Sequence, residues 1–562
     1  MPASARELFQ TALALHARGQ LPEARQACER ALAADSSRPE HHALLGDLLT
    51  AQRDCERAIS VLRAAAARFP GDAQVWFQLG FSLGAAGLLE EAVPALQKSQ
   101  DLRPHARTAH FLAGGLAELA HISLVVFGNA PKSAAYLRLA MAAQPDEPAH
   151  HSRLLMTLAY STQWTPEEVF AEHLAWAKRH GACAKPFTRA PHAPGSRRIR
   201  VGYVSADFRN HPVAAFFEAI ARHHDRRAFE VFCYSNVLQA DDTTRRLAGL
   251  AEHWRPIRDL SDADAAELVR RDGIDILVDL SGHSPQGRLG VFAGKPAPVQ
   301  VTYLGYPNTT GMRAVDHRIV DAVTDPPGMT ERLHTEQLER LPGCFLCYSP
   351  PDYAGEPGPL PCLQKGHVTF GSFNNFAKVT PGWLALAARI LRQVPGSKCM
   401  VKCRFFPPGV DVESHVCGLF APHGIGPERL IVLPADKSGA DHLARYGREV
   451  DIALDTFPYN GTTTTCEALW MGVPVVTLAG QTHVSRVSAS LLTALGLPEL
   501  VASDPDAYVR IAVELACDPE RLSKLRQGMR QRMAPLTDGP AFTAKLEDAY
   551  LSMLARQAQT VA

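Results

Sequence analysis

Residues 454–480 read LDTFPYNGTTTTCEALWMGVPVVTLAG. An apolar run ends in "DTFPYNG", four threonines open a segment of helical spacing, and "VPVVTLAG" starts another apolar run. Strand, loop, helix and strand, with no hairpin signal, is the unit of a parallel sheet covered by helices. Ligands of such sheets lie beyond the carboxyl ends of the strands. The first turn of a helix offers free N–H groups and a positive dipole end, which suit an anion and most often a phosphate. Gly461 gives an anion access to the backbone, and Thr462, Thr463 and Thr464 add small donors. Glu467, one turn in, is placed to hold ribose hydroxyls. Thr464 and Glu467 also have the spacing of a capping box, which would satisfy the helix's own N–H groups. The two readings are compatible.

Working outward, the same alternation fills residues 199–562. "IRVGYVSADF", "FEVFCYSN", "IDILVDLSGH" and "APVQVTYLGYP" read as four strands of a first sheet. "HVTFGSF", "KCMVKCRF", "RLIVLP", "VDIALDTF" and "VPVVTLAG" read as strands of a second. A loop-rich interval at 349–366 separates them. Two Rossmann-like domains are expected, at 199–355 and 356–562, the second ending in a closing helix. Their strand ends would share a ligand cleft. Before them, 151–184 continues helical and "KPFTRAPHAPGSRR" ends a helical linker region at about 198. Residues 1–150 carry a period of 34: Ala24 and Ala31, then Gly46, Ala58 and Ala65, then Gly80, Ala92 and Pro104. This resembles the tetratricopeptide repeat, in about three and a half copies, and such arrays present a concave peptide-binding groove.

Composition narrows the class. The chain of 562 residues is 46% apolar and 21% charged, with 58 basic and 58 acidic residues and zero formal net charge. That balance argues against nucleic-acid binding through overall charge. No run approaches the ~20 apolar residues of a membrane span, and "MPASARELFQ" lacks the apolar core of a secretory signal. Twelve cysteines show no disulfide framework, so a reduced, cytoplasmic protein is expected. Cys344/Cys347 and Cys399/Cys403 have metal-like spacing, but the second pair lies in a strand pattern. No metal site is expected, and "DAD" at 262–264 reads as a helix start.

Two more strand exits carry chemistry. "SADFRNHPV" puts Asp207 and His211 ahead of Pro212, which suits a first helical turn; His211 either contacts ligand or caps the helix. "FGSFNNFAKVTP" puts Asn375 and Lys378 at the first strand exit of the second domain. A lysine there can neutralise a departing diphosphate.

"VGYVSADFRNHP", "PAPVQVTYLGYPNTTG", "FGSFNNFAKVTP" and the opening stretch, following helical repeats, resemble the nucleocytoplasmic protein O-GlcNAc transferase family, including the plant SECRET AGENT and SPINDLY branches. The resemblance implies a two-lobed GT-B fold and an inverting, metal-independent glycosyltransferase with no cofactor. Its nucleotide-sugar donor would be UDP-GlcNAc or, as in the SPINDLY branch, GDP-fucose. The acceptor would be Ser/Thr of a protein or peptide bound along the repeat groove and interlobe cleft, without nucleic acid or membrane. A non-catalytic repeat scaffold is the other class. By resemblance Lys378 contacts the diphosphate, Gly461, Thr463 and Thr464 hold phosphate, and Glu467 contacts ribose. His211 and Asp207 lie near sugar and acceptor, Gly305 and Pro307 line the sugar pocket, and His442 stacks on the base with Lys437 beside it. Asn375 stands in the donor site, Thr462 replaces a histidine of the animal enzyme, and His150 or His151 marks the junction with the repeats.

Overall fold

The computed structural model describes residues 3–181, 197–403, 406 and 410–561. Residues 185–196 of the expected linker, and 404–405 of the "KCMVKCRF" stretch, lie outside them. The chain divides into two compact units, residues 1–123 with 132–151, and residues 124–131 with 152–562.

The first unit is built from helix pairs. Ala5–Ala17 pairs with Leu21–Ala34, Pro39–Ala51 with Cys55–Arg68, and Ala73–Ala85 with Leu89–Leu102. The period of 34 has a steric cause. A Cβ on Gly46 would lie 2.4 Å from Leu62, and one on Gly80 would lie 2.6 Å from Leu96. Each glycine leaves the space that the partner helix's leucine fills. A fourth pair, Ala106–Val125 with Ala130–Ala143, is complete, and its first helix has 20 residues where the others have 13. That helix is also long and apolar enough to cross a membrane by length and composition, contrary to the sequence expectation, although half of its apolar window is buried within the protein.

The second unit contains two parallel sheets. Strands of the first are β1 (Ile199–Ser205), β2 (Phe229–Ser235), β3 (His253–Pro256), β4 (Ile276–Asp279), β5 (Val299–Thr302), β6 (His317–Asp321) and β7 (Gln337–Leu341), in the order 3-2-1-4-5-6-7. Those of the second are β8 (Thr369–Ser372), β9 (Lys398–Lys402), β10 (Leu430–Leu433), β11 (Ile452–Leu454), β12 (Val475–Leu478) and β13 (Val501–Ala502), in the order 10-9-8-11-12-13. The order reverses beside β1 in one sheet and beside β8 in the other, which places a ligand crevice at those strand exits. The first sheet has seven strands rather than four. The missed ones, "HWRP", "HRIVD" and "QLERL", are polar and short; β3 and β7 are edge strands, where polar residues are tolerated.

The final helix, Gly539–Val561, leaves the second lobe and packs on the first. His224, following the helix Pro212–His223, bonds Glu547 at 2.8 Å, and Tyr203 on β1 meets Tyr550 at 3.3 Å. A second tie joins the lobes at the strand exits. Asp325, past β6, takes His483 Nδ1 at 2.6 Å and the Thr330 hydroxyl at 2.8 Å. Burial opposes ionisation of Asp325, but the bond to His483 and the nearby Arg318 charge hold its carboxyl well below the usual range. A lowered carboxyl stabilises the fold above its unfolded value of about 4 and loses that contribution as pH falls through the folded value. Asp325→Asn should therefore cost about 3 kcal/mol at pH 7. Thermal unfolding should show the gap to wild type narrowing on acidification.

Candidate active site

The loop between β11 and the helix Thr463–Trp470 is fixed by one carboxylate. Asp455 is buried; its Oδ1 accepts the N–H of Thr456 at 2.9 Å and of Gly461 at 2.7 Å, while Oδ2 accepts the Thr477 hydroxyl of β12 at 2.7 Å. The Thr456 hydroxyl donates to the Tyr459 carbonyl and the Asn460 amide to that of Thr456, at 2.8 and 2.9 Å. Asn460 N–H donates to Val484, beside the His483 tie to the first lobe. The loop that ends in the helix mouth is thus anchored to its own sheet and to the interlobe joint.

The helix starts at Thr463 with Thr462 at the N-cap and no side-chain cap. The capping box is not formed, because Thr464 stands inside the first turn. Its hydroxyl donates to Asn374 at 2.8 Å, and Glu467 pairs with His442 at 3.1 Å. Both expected cap partners are engaged elsewhere, which leaves the helix mouth uncapped, and the Thr463 hydroxyl is buried with no hydrogen-bond partner among the described residues. Gly461 has a reason besides access for an anion. A Cβ there would lie 2.6 and 2.7 Å from the Thr464 and Thr465 hydroxyls and 3.1 Å from Asn374.

Lys378 ends a 3-10 turn, Phe376–Lys378, capped by the Asn375 side-chain oxygen Oδ1, which accepts from Ala377 N–H at 3.1 Å. Asn375 is exposed, and it is the preceding Asn374 that faces the helix mouth. Lys378 Nζ donates to the Asn460 carbonyl at 2.8 Å and sits 4.2 Å over the Tyr459 ring. Burial pushes its ammonium down to about 8, against the pull of Asp455. The lysine and the helix mouth are therefore held by the same loop.

A second cluster lies on the other side of Glu467. His442, in the helix Gly439–Glu449, is buried; it bonds Glu467 through Nε2 and Lys402 through Nδ1. Lys402 in turn pairs with Asp436, which accepts Arg445 Nε at 2.9 Å. Burial opposes ionisation of Asp436, yet Lys402 and Arg445 hold its carboxyl below the usual range. Lys437 is exposed and outside this network. The cation beside His442 is Lys402, the last residue of β9. Its strand pattern concealed it: "KCMVKC" reads as core, and a lysine at the strand's exit was the available signal.

In the first lobe, Pro212 does open the helix Pro212–His223. His211 caps it, Nδ1 accepting the Val213 N–H at 3.3 Å. Burial first and Arg209 second push His211 down to about 4, so the ring is neutral and bears its proton on Nε2. Asp207 is buried 3.6 Å from that Nδ1, and burial pushes its carboxyl up to about 6 against the Arg209 cation. Gly305 follows Leu304 in the left-handed region at φ +70°, and a Cβ on Gly305 would lie 1.7 Å from the Leu280 carbonyl. Pro307 is half-buried in the same loop, whose carbonyls at Tyr306 and Asn308 accept from buried Arg318. His150 and His151 are buried early in the helix Pro148–Leu158.

Two parallel-sheet lobes tied at their strand exits make up the GT-B arrangement of glycosyltransferases. The chain belongs to Glycosyl transferase family 41, whose model matches residues 149–349 and 361–546; a tetratricopeptide repeat model matches 15–79. The chain is 43% identical over 416 residues to the Arabidopsis thaliana protein named "Probable UDP-N-acetylglucosamine--peptide N-acetylglucosaminyltransferase SPINDLY", covering 73% of this chain and 45% of that one. It is 32% identical over 390 residues to the Arabidopsis relative SEC of the same activity name, covering 66% and 39%. The chain thus spans about half the length of these curated relatives. A solved lysine-to-methionine mutant of Thermobaculum terrenum O-GlcNAc transferase matches 99% of this chain and 98% of its own, at 37% identity and a TM-score of 0.70.

Gly461→Ala should push the threonine hydroxyls and Asn374 apart and deform the helix mouth. Calorimetric titration with a nucleoside diphosphate should show affinity reduced roughly tenfold, about 1.4 kcal/mol, with the melting temperature lowered by only a few degrees, as expected for about 1 kcal/mol in a large domain.

Proposed function

We propose that this protein is an inverting, metal-independent glycosyltransferase that moves a sugar, GlcNAc from UDP-GlcNAc, to serine or threonine hydroxyls of protein substrates in the cytoplasm. The observation that carries the reading is Lys378 held over Tyr459 and against Asn460, one loop away from the uncapped first turn of Thr463–Trp470. A diphosphate at that turn would receive N–H groups, the Thr463 hydroxyl and a cation that leans toward it. The activity names of the relatives and the solved structure support the same class.

In the proposed step the acceptor hydroxyl oxygen attacks C1 of the sugar. The bond from C1 to the diphosphate breaks with its electron pair on the departing oxygen, where Lys378 and the helix mouth stabilise the charge. The hydroxyl proton needs an acceptor. Of the two first-lobe candidates Asp207 is the better one, since a carboxyl raised to about 6 is ionised at neutral pH and still basic. His211 has its unprotonated nitrogen engaged by Val213 N–H, so it presents a donor rather than a base. The acceptor polypeptide would be held by the repeat groove.

A second reading, fucose from GDP-fucose, is favoured by the Asp436–Lys402–His442–Glu467 network. Guanine offers two adjacent N–H donors for a carboxylate and a carbonyl for a lysine, whereas uracil offers a single N–H between two carbonyls. Titration with UDP and with GDP separates the readings: tighter UDP supports GlcNAc, tighter GDP supports fucose, and binding of neither removes both.

Lys378→Ala should lower turnover by about 10²–10³, or 2.7–4 kcal/mol, in a steady-state transfer assay. Turnover should also be bell-shaped in pH. It should rise as Asp207 ionises through about 6 and fall as Lys378 loses its proton through about 8. The alkaline limb should be absent in Lys378→Ala.

A further inference from the structure

Lys378 is gripped by residues that the donor chemistry does not use. Tyr459 lies under its ammonium, 4.2 Å from Nζ to the ring centroid. Tyr459 is also stacked on Tyr160, at 4.7 Å between centroids and 27° between planes. Tyr160 comes from neither lobe's sheet. It follows the helix Pro148–Leu158, its N–H donating to the Thr157 carbonyl at 3.1 Å. The lysine's own turn is backed from outside its lobe as well. Gly128, at φ +60°, packs so closely that a Cβ would lie 3.0 Å from the Val379 carbonyl and 3.6 Å from that of Phe376. Phe127 beside it meets the His415 ring at 5.3 Å.

We propose that Tyr459, with Tyr160 behind it, is a positioning residue for Lys378: the stacked pair forms a shelf that excludes water from the ammonium and aims it at the helix mouth. The inference deepens the transferase reading and rests on it for its catalytic consequence. A lysine side chain has four rotatable bonds and reaches water easily unless something apolar blocks the way. A stacked ring pair blocks it and still attracts the cation through the ring face. The single carbonyl of Asn460 then fixes direction. Asp455 is the carboxyl that acts on the lysine, while burial raises both tyrosine phenols and keeps them neutral. The shelf explains why "PYNG" carries a large aromatic next to the small residues of the helix mouth: the ring serves the lysine and not the phosphate.

The test reads Lys378 directly. In full-length protein with ¹³C-labelled lysine, the Lys378 signal is assigned by its loss in Lys378→Arg and titrated by NMR. Wild type should titrate near about 8. Tyr459→Leu should move it up by about one unit or more, since loss of desolvation outweighs loss of ring attraction. Tyr160→Leu should move it in the same direction by less, and Tyr459→Phe should leave it in place. Turnover of Tyr459→Leu should fall roughly tenfold with the acceptor KM within about twofold, as expected when a group acts in the transition state rather than in binding. An unchanged Lys378 titration in folded Tyr459→Leu would overturn the proposal. So would a shift in Tyr459→Phe as large as in Tyr459→Leu. The titration needs no activity, so failure of wild type to bind UDP or GDP would sink the transferase reading while the titration still decides the shelf.

Discussion

The buried carboxylate of Asp455 is the constraint on which the site depends. It lies at the end of β11, where a doubly wound sheet delivers its ligand loop, and it accepts from Thr456, Gly461 and β12 together. Burial penalises it and raises its pKa, and these contacts offset that cost. The result is a loop with little freedom between residues 455 and 461. The Asn460 carbonyl, the Tyr459 ring and the start of the threonine helix thereby acquire fixed relative positions. Removing such a carboxylate would leave its buried donors unpaired, at about 1–3 kcal/mol each. The proposed stabilisation of charge on a leaving group would need this rigidity, because donors that reorganise during a reaction lose their advantage.

Much of this arrangement can be read in the amino-acid sequence, and the unread part has physical causes. Period-34 small residues and strand–helix alternation are set by packing, and packing leaves a periodic trace. Strands β3 and β7 left none, since polar edge strands need no apolar run. Lys378, Gly461, Thr463 and Asp207 stand at strand exits, where position in the chain predicts position in space. Lys402 also stands at a strand exit, but the core-like pattern of β9 hid it. Its charge is inside the second lobe, neutralised by Asp436, a residue 34 positions on that joins it only through folding. The Thr464–Glu467 spacing suited a local cap as well as a ligand site. Asn374 and His442, distant in sequence, take both side chains, so the local cap does not form.

The same separation of local from long-range partners explains the two clusters around the Thr463–Trp470 helix. One side of its first turns meets Asn374 and the lysine loop; Glu467, a turn later, meets His442 and the Lys402–Asp436 pair. An ionised buried pair gains little stability, because desolvation consumes the Coulomb attraction. Such a pair is better understood as fixing orientation. Lys402 has only N–H donors, so the nitrogen of His442 that faces it must be the acceptor, and the other nitrogen then bears the proton that Glu467 receives. The tautomer of a single imidazole is thus set by a strand-exit lysine on one side and read by a helix carboxylate on the other.

Burial also accounts for the opposite behaviour of Asp207 and Lys378, the two groups given roles in the proposed reaction. Desolvation disfavours whichever form is charged, so the same environment raises the Asp207 carboxyl to about 6 and lowers the Lys378 ammonium to about 8. The window between those values is where a carboxylate base and an ammonium acid coexist. Its width depends on keeping water from both groups without removing their partners. For Asp207 that balance is struck by Arg209 at 3.5 Å. For Lys378 the partners are a backbone carbonyl and an aromatic face, neither of which carries a full charge. A diphosphate reaching the helix mouth would therefore meet a lysine that forms no carboxylate salt bridge among the described residues. The cation is held close and only weakly committed, the condition under which its charge is most available to a leaving group.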